Sequence, residues 1–351
     1  MHMDTNSIGK VNILYQSSDV YAPVMGVSIT SLLENNKNLD NISIYILDGG
    51  ISEDNKKRLH LLGQDYCQKI TFIDGKEIDD MLEKKGVKKW RNSYAMYYKL
   101  YAIDLIGKDI DRLLAIDADT IVNDEIKTLY SIDLDNNILG MVQDVMPASY
   151  MEKIGMSSAE VYYNTGMVLF DVRKWKEEKC IELIDRFFEG NLDNILFADQ
   201  DALSILFQTK TKKLPLKYNY FALLSSLREC LRIDINGLYK LSSFEKLHEY
   251  YSREEILASE KDAVIYHYTG GTVVGRPWER GDQQYSLSEL WEHYKEISLW
   301  NDMEKQPSHE TRFHRIEKKL NSILPSPLFF VIYKTAFGLY WNRIMKIRPN
   351  N

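Results

Sequence analysis

The chain has 351 residues, 44% hydrophobic and 27% charged, with a formal net charge of −7. That balance is ordinary for a soluble globular protein of one large or two smaller domains, and an acidic body without a recognition motif argues against nucleic acid as a partner. Three cysteines without metal-ligand spacing (Cys67, Cys180 and Cys230) and the lack of an apolar core before Val11 fit a reduced cytoplasmic setting without a secretory signal.

In chain order, VNILYQ (Val11–Gln16) predicts a first strand and Val24–Leu33 a helix. ISIYIL (Ile42–Leu47) predicts a strand, Asp54–Leu62 a helix, Lys69–Ile73 a strand and Ser93–Ile106 a helix with aromatic faces. Leu113–Ile116, Gly140–Gln143 and GMVLFD (Gly166–Asp171) are further strands, followed by helices over Arg173–Phe188 and Gln200–Phe207 and a strand at AVIYHY (Ala263–Tyr268). Such alternation signals an α/β fold with a parallel sheet. In open sheets of this kind ligands sit beyond the carboxyl ends of the strands. The polar groups Ser17, Ser18, Asp19, Asp117, Asp119 and His267 fall there or within the apolar runs themselves. No G-x-G-x-x-G or P-loop follows a strand, which disfavours a dinucleotide site or a nucleoside triphosphatase. A bound phosphate would then need a cation.

The run LLAIDADTIV (Leu113–Val122) ends an apolar strand on Asp117 and Asp119, separated by Ala118. Three readings compete. In a haloacid-dehalogenase-like phosphatase the first Asp attacks phosphate and the second serves as acid and base. In a nucleotide-sugar glycosyltransferase the pair grips a hard divalent ion against a diphosphate. The third reading is a solvated loop. A complete α/β half precedes Asp117, whereas the phosphatase motif lies near the N-terminus.

Six motifs decide between these readings: NILYQSSDVYAPVMGVSITSLL, YYKLYAIDLI, LLAIDADTIV, YYNTGMVLFDVRKW, DQDALSILF and HYTG…RPW, spread from about Val11 to Trp278. In this order they resemble the retaining glycosyltransferases of family 8, the group of glycogenin and bacterial lipo-oligosaccharide galactosyltransferases. The resemblance implies a glycosyltransferase-A type fold: α/β, with a single Rossmann-like mixed sheet flanked by helices. It implies a UDP-sugar donor, a hexose (glucose or galactose) as the transferred group, and a glycan, glycolipid or glycoprotein acceptor. Asp117, Asp119 and His267 are its metal ligands, for Mn²⁺ or Mg²⁺, with Ala118 also at the donor. A histidine hydrogen-bonded in the core is the alternative for His267.

By the same resemblance Asn164, Thr165 and Gly166 contact the donor sugar, and Asp199 and Gln200 lie beside the reacting carbon. Lys99 is the basic residue near that Asp, its alternative being a helix-surface lysine. Gln200, Asp199 and Lys99 are the catalytic candidates. Gly270 lets backbone amides approach the diphosphate. Arg276 replaces the family's usual Lys after two extra residues, its alternative being a surface cation beside Trp278. Tyr21 stacks on the base, Ser17 borders it, and Ser18 stands where many members have an Asp that reads uracil, with Asp19 adjacent. Asp144 is read as an acceptor contact or a solvated carboxylate. An inactive sugar-nucleotide-binding protein is the main functional alternative.

Residues 312–351 hold eight Lys and Arg against Glu317 alone, so this tail carries +7 in a chain of −7 and leaves −14 on the body. Ile323–Trp341 is strongly apolar, but Pro325, Pro327 and Lys334 speak against a single spanning helix. A helical amphipathic tail lying on an anionic inner-membrane face is the reading adopted, with packing on the body as its alternative. The expected division is a catalytic domain at 1–285 and a helical, basic and aromatic extension at 286–351.

Overall fold

The computed structural model describes residues 10–346 except 90–92, 108, 158, 192–194, 271–272, 282–284 and 309–310. Residues 1–9 and 347–351, and the Gly-Thr pair at 271–272 inside the HYTG…RPW motif, therefore lie outside the described residues. The strands are β1 (Val11–Ser17), β2 (Ile42–Asp48), β3 (Lys69–Asp74), β4 (Arg112–Ile116), β5 (Thr120–Val122), β6 (Leu139–Gln143), β7 (Tyr163–Asp171), β8 (Thr211–Lys213), β9 (Tyr220–Phe221) and β10 (Ile265–His267).

Successive side chains of a strand point to opposite faces, and here that alternation builds two cores. Ile13 and Tyr15 of β1, Leu114 and Ile116 of β4, and Met167 and Leu169 of β7 enter one core. Leu14, Leu113, Ala115, Val168 and Phe170 enter the other. Both faces being covered explains why the strands read as continuous apolar runs. The main sheet has the order β3-β2-β1-β4-β7-β6-β8. The first four of these strands are mutually parallel, but β7 runs antiparallel to both β4 and β6. The sheet is therefore mixed, as the family resemblance implies, while the alternation alone suggested a parallel one.

A second sheet, β5-β10-β9, sits at the end of β4. Asp117 N–H donates to the Gly166 carbonyl at 2.8 Å, and Tyr268 N–H donates to the Asp119 carbonyl at 2.8 Å. The D-x-D is thus the crossover between two sheets, and the pairing of His267 with Thr120 brings the imidazole to it. Between Met141 and Val142 the register with β7 shifts, so that Val142 faces Asn164 while Met141 faces Val168. Irregularities of this kind re-aim side chains next to active sites.

Several boundaries differ from the sequence pattern. Arg173–Phe188 is two helices, Val172–Glu177 and Cys180–Asn191, because Lys179 between them takes a left-handed φ of 53°. The helix placed at Ser93–Ile106 is a 3₁₀ turn, Ala95–Tyr97, followed by an α-helix, Tyr98–Ile106. The strand expected from Gly166 begins earlier, at Tyr163, so Asn164 and Thr165 also lie inside β7.

The main core continues past residue 285. Trp291, Tyr294 and Trp300 belong to it, and Gly26 leaves room for Trp300, since a Cβ there would lie 2.1 Å from its ring. The tail forms two helices, Arg312–Ile323 and Ser326–Lys346, broken at Leu324 and Pro325. Phe329, Tyr333 and Phe337 stack along one face of the second helix, the first two fully buried. Among the described residues no helix is long and apolar enough to cross a membrane.

Candidate active site

Lys99 projects from the helix Tyr98–Ile106 into the core and is only 3% exposed, so it is not a surface lysine. Its Nζ donates to Asp117 Oδ1 at 2.7 Å and to the Thr165 carbonyl at 2.7 Å, and pairs with Asp199 Oδ2 at 3.0 Å. Burial works against the ammonium, but the two carboxylates outweigh it and hold Lys99 protonated. Burial pushes the Asp199 carboxyl up, with Asp117 adding to the effect and Lys99 opposing it. The backbone N–H of Lys99 is held by Gln16 Oε1 at 2.9 Å, and that long-range contact has no sequence signal.

Asp119 meets an imidazole and a guanidinium. His267 Nε2 lies 3.3 Å from its Oδ1 and Arg276 lies 3.4 Å from its Oδ2. Burial would raise the Asp119 carboxyl, yet these neighbours hold it below the usual range. Burial alone would lower the His267 imidazole, and Asp119, Asp117 and Asp144 reverse that. Arg276 also donates to the Tyr21 hydroxyl at 2.9 Å and the Tyr268 carbonyl at 3.2 Å, with its guanidinium 5.8 Å above the Trp278 ring. The two extra residues before it therefore do not keep it from the D-x-D. Gly270 lies against this guanidinium, and a Cβ there would make an ordinary contact of 3.4 Å.

Asp117, Asp119 and His267 each offer a ligand atom, all within 4.8 Å of one another. Two carboxylates and an imidazole so placed suit one divalent ion. The His267 Nδ1 edge is buried without a hydrogen-bond partner among the described residues. Gly166 is required beside it, because a Cβ there would lie 2.3 Å from the ring.

A chain of amides completes the site. Asn164 Oδ1 accepts from Gly166 N–H at 2.9 Å and from Asn219 Nδ2 at 2.7 Å, while its Nδ2 donates to Asp144 Oδ2 at 2.9 Å. Gln200 Nε2 donates to the same Asp144 oxygen at 2.8 Å. Asp144 is thus neither isolated nor merely solvated, and Asn219, fully buried and without a motif, joins the site unforeseen. Asp199 and Gln200 open the helix Ala198–Leu206, where Ala198 has a left-handed φ of 39°. Asp201 anchors this turn by accepting from the Leu196 and Phe197 N–H groups and the Tyr150 and Tyr162 hydroxyls.

At the far end, Ser17 Oγ donates to the Ser18 carbonyl at 2.8 Å. Asp19 turns outward, its Oδ1 accepting from Ser52 N–H and Asn55 Nδ2 at 2.8 Å each. Ala118 is buried in the core between the two site carboxylates.

Residues 12–301 match the family described as glycosyl transferase family 8. A lipopolysaccharide 1,2-glucosyltransferase of Escherichia coli K12 is 27% identical over 299 residues, covering 83% of this chain and 79% of that protein. General stress protein A of Bacillus subtilis is 24% identical over 294 residues, covering 83% and 95%. The crystal structure of galactosyltransferase LgtC with donor and acceptor sugar analogs superposes with a TM-score of 0.63 at 22% identity, covering 82% and 96%. That likeness establishes the glycosyltransferase-A fold.

Proposed function

The chain belongs to glycosyl transferase family 8, and on that premise we propose that it moves a hexose, glucose or galactose, from a UDP-sugar to a glycan, glycolipid or glycoprotein acceptor, with retention and with a divalent metal. The observation that carries this reading is the convergence of Asp117, Asp119 and His267 beside the Lys99–Asp199 pair. The mixed oxygen and nitrogen donors favour Mn²⁺ over Mg²⁺. Bound there, the ion supplies Lewis-acid stabilisation of the departing diphosphate.

The protein's own groups do the rest. Arg276, braced by Tyr21, adds positive charge at Asp119, where the diphosphate is expected. Asp199 is 1% exposed and paired with Lys99, which makes it a poor nucleophile. We therefore favour a front-face displacement, in which the leaving phosphate oxygen takes the acceptor's proton and the Gln200 carbonyl stabilises positive charge at the sugar carbon. Asp199 and Lys99 hold the floor of that pocket rigid.

The tail presents Leu328, Val331, Ile332 and Leu339 to solvent on the same helix as the exposed Arg343. This supports a peripheral seat on an anionic membrane.

The main test is hydrolysis of UDP-glucose and UDP-galactose with Mn²⁺, expected for the native chain and reduced at least about 10³-fold by Asp119→Asn. Tight UDP binding without turnover would favour the inactive binding protein instead.

A further inference from the structure

Asp144 follows β6 just beyond the register shift, and three donors converge on its carboxylate. Oδ2 accepts from Gln200 Nε2 at 2.8 Å and Asn164 Nδ2 at 2.9 Å, and Oδ1 accepts from Val145 N–H at 2.7 Å. We propose that Asp144 is a positioning residue that fixes which end of the Gln200 amide faces the reacting sugar carbon. The proposal rests on the donor-site reading above and deepens it.

A primary amide has two ends of opposite polarity and nearly the same shape. Its carbonyl end stabilises positive charge and its NH₂ end opposes it. If Gln200 lies beside a sugar carbon that gains positive charge during transfer, a flipped amide would turn a stabilising dipole into a destabilising one. An ionised carboxylate can only accept hydrogen bonds, so contact with Asp144 commits the Gln200 nitrogen to that side and turns Oε1 away from it. Asn164 Nδ2 lies 3.4 Å from Oε1. Asn164 is oriented by the same rule, because its Nδ2 is claimed by Asp144 while its Oδ1 takes Gly166 N–H and Asn219 Nδ2. One carboxylate therefore sets the direction of two amides on the donor side. Three protein donors occupy most of the lone-pair sites of this carboxylate, two on Oδ2 and one on Oδ1.

Asp144→Asn tests this. Its new amide can offer oxygen to Gln200 and Asn164 or to Val145 N–H, but not to both sides. The assay is acceptor-free hydrolysis of UDP-glucose and UDP-galactose with Mn²⁺, so that no acceptor contact contributes. We expect kcat to fall about 10²-fold, the donor KM to stay within about twofold, and the melting temperature to hold. Asp144→Ser, smaller and neutral, should reproduce the loss. In a Gln200→Ala background, Asp144→Asn should cost nothing further, because the group it orients is gone. Unchanged hydrolysis, or losses that multiply across the double variant, would overturn the proposal. The native chain's own hydrolysis reports separately on the donor-site reading.

Discussion

Lys99 and Glu317 are both charged side chains taken almost wholly out of water, at 3% and 5% exposure, and their surroundings are opposite. Lys99 has two carboxylates and a backbone carbonyl within 3.0 Å. Glu317, on the tail helix Arg312–Ile323, has an Oε2 with no hydrogen-bond partner among the described residues. On the same helix Phe313 and Ile316 are 48% and 49% exposed, so the tail holds an acid inside and apolar groups outside. Burying a charge is tolerable when partners replace the lost water and costly when they do not. The donor site is therefore built to stay as it is, and the tail is built so that its present packing can be improved upon.

The sharpest way to break this comparison is to remove the central cation. Lys99→Met leaves Asp117 and Asp199 facing a methyl group with no counter-charge. Loss of one partner from a buried charge group costs about 3–5 kcal/mol, and denaturant unfolding should show a loss of that size together with loss of donor hydrolysis. A loss below about 1 kcal/mol would mean that water reaches the carboxylates and that Lys99 is not the keystone of the site.

What the sequence revealed of this site follows from the range of its contacts. Asp117 and Asp119 are close in the chain and end one strand, so the carboxylate pair is visible in ten residues, which by themselves leave three readings open. His267 was reachable because the glycine after it completes a short pattern. The position of Lys99 was legible but its burial was not, since the residues that enclose it, Gln16, Asp117, Thr165 and Asp199, come from four separate segments. Asn219 is the extreme case. Its partner Asn164 lies 55 residues away and neither neighbour of Asn219 suggests a site. The direction of β7 was hidden because a strand covered on both faces reads the same whether parallel or antiparallel. The helix break at Lys179 was hidden because a lysine holds the left-handed turn that glycine usually marks.

The tail's outward apolar face offers the next test. Leu328, Val331 and Leu339 lie on the side of their helix opposite the buried Phe329 and Tyr333. Changing all three to Ser should leave the melting temperature unchanged, since none is buried. If the face seats on lipid, each side chain contributes about 1 kcal/mol there, and flotation with anionic vesicles should weaken about a hundredfold. High salt should weaken it further through the tail's cations. Equal flotation of native and triple-Ser chains would remove the membrane reading and leave the tail as an ordinary packed extension.

The smallest expected effect is the most direct probe of how the tail is held. Burial pushes the Glu317 carboxyl up to about 7, against about 4.3 in an unfolded chain. Between those values the folded protein holds more protons than the unfolded one, so the contribution of this group to stability falls as pH rises through the window and levels off above it. The Cys230 thiol lies within electrostatic range, with Lys318 and Arg232 also acting on that thiol, and Asn321 donates to the Cys230 carbonyl at 3.1 Å. Glu317→Gln removes the titration while keeping the shape. It should stabilise the protein more at pH 8 than at pH 5 and flatten the pH dependence between them, as read by denaturant unfolding at each pH. A gain of equal size at both pH values would show that Glu317 is already neutralised by a partner, and the contrast with Lys99 would then be one of degree only.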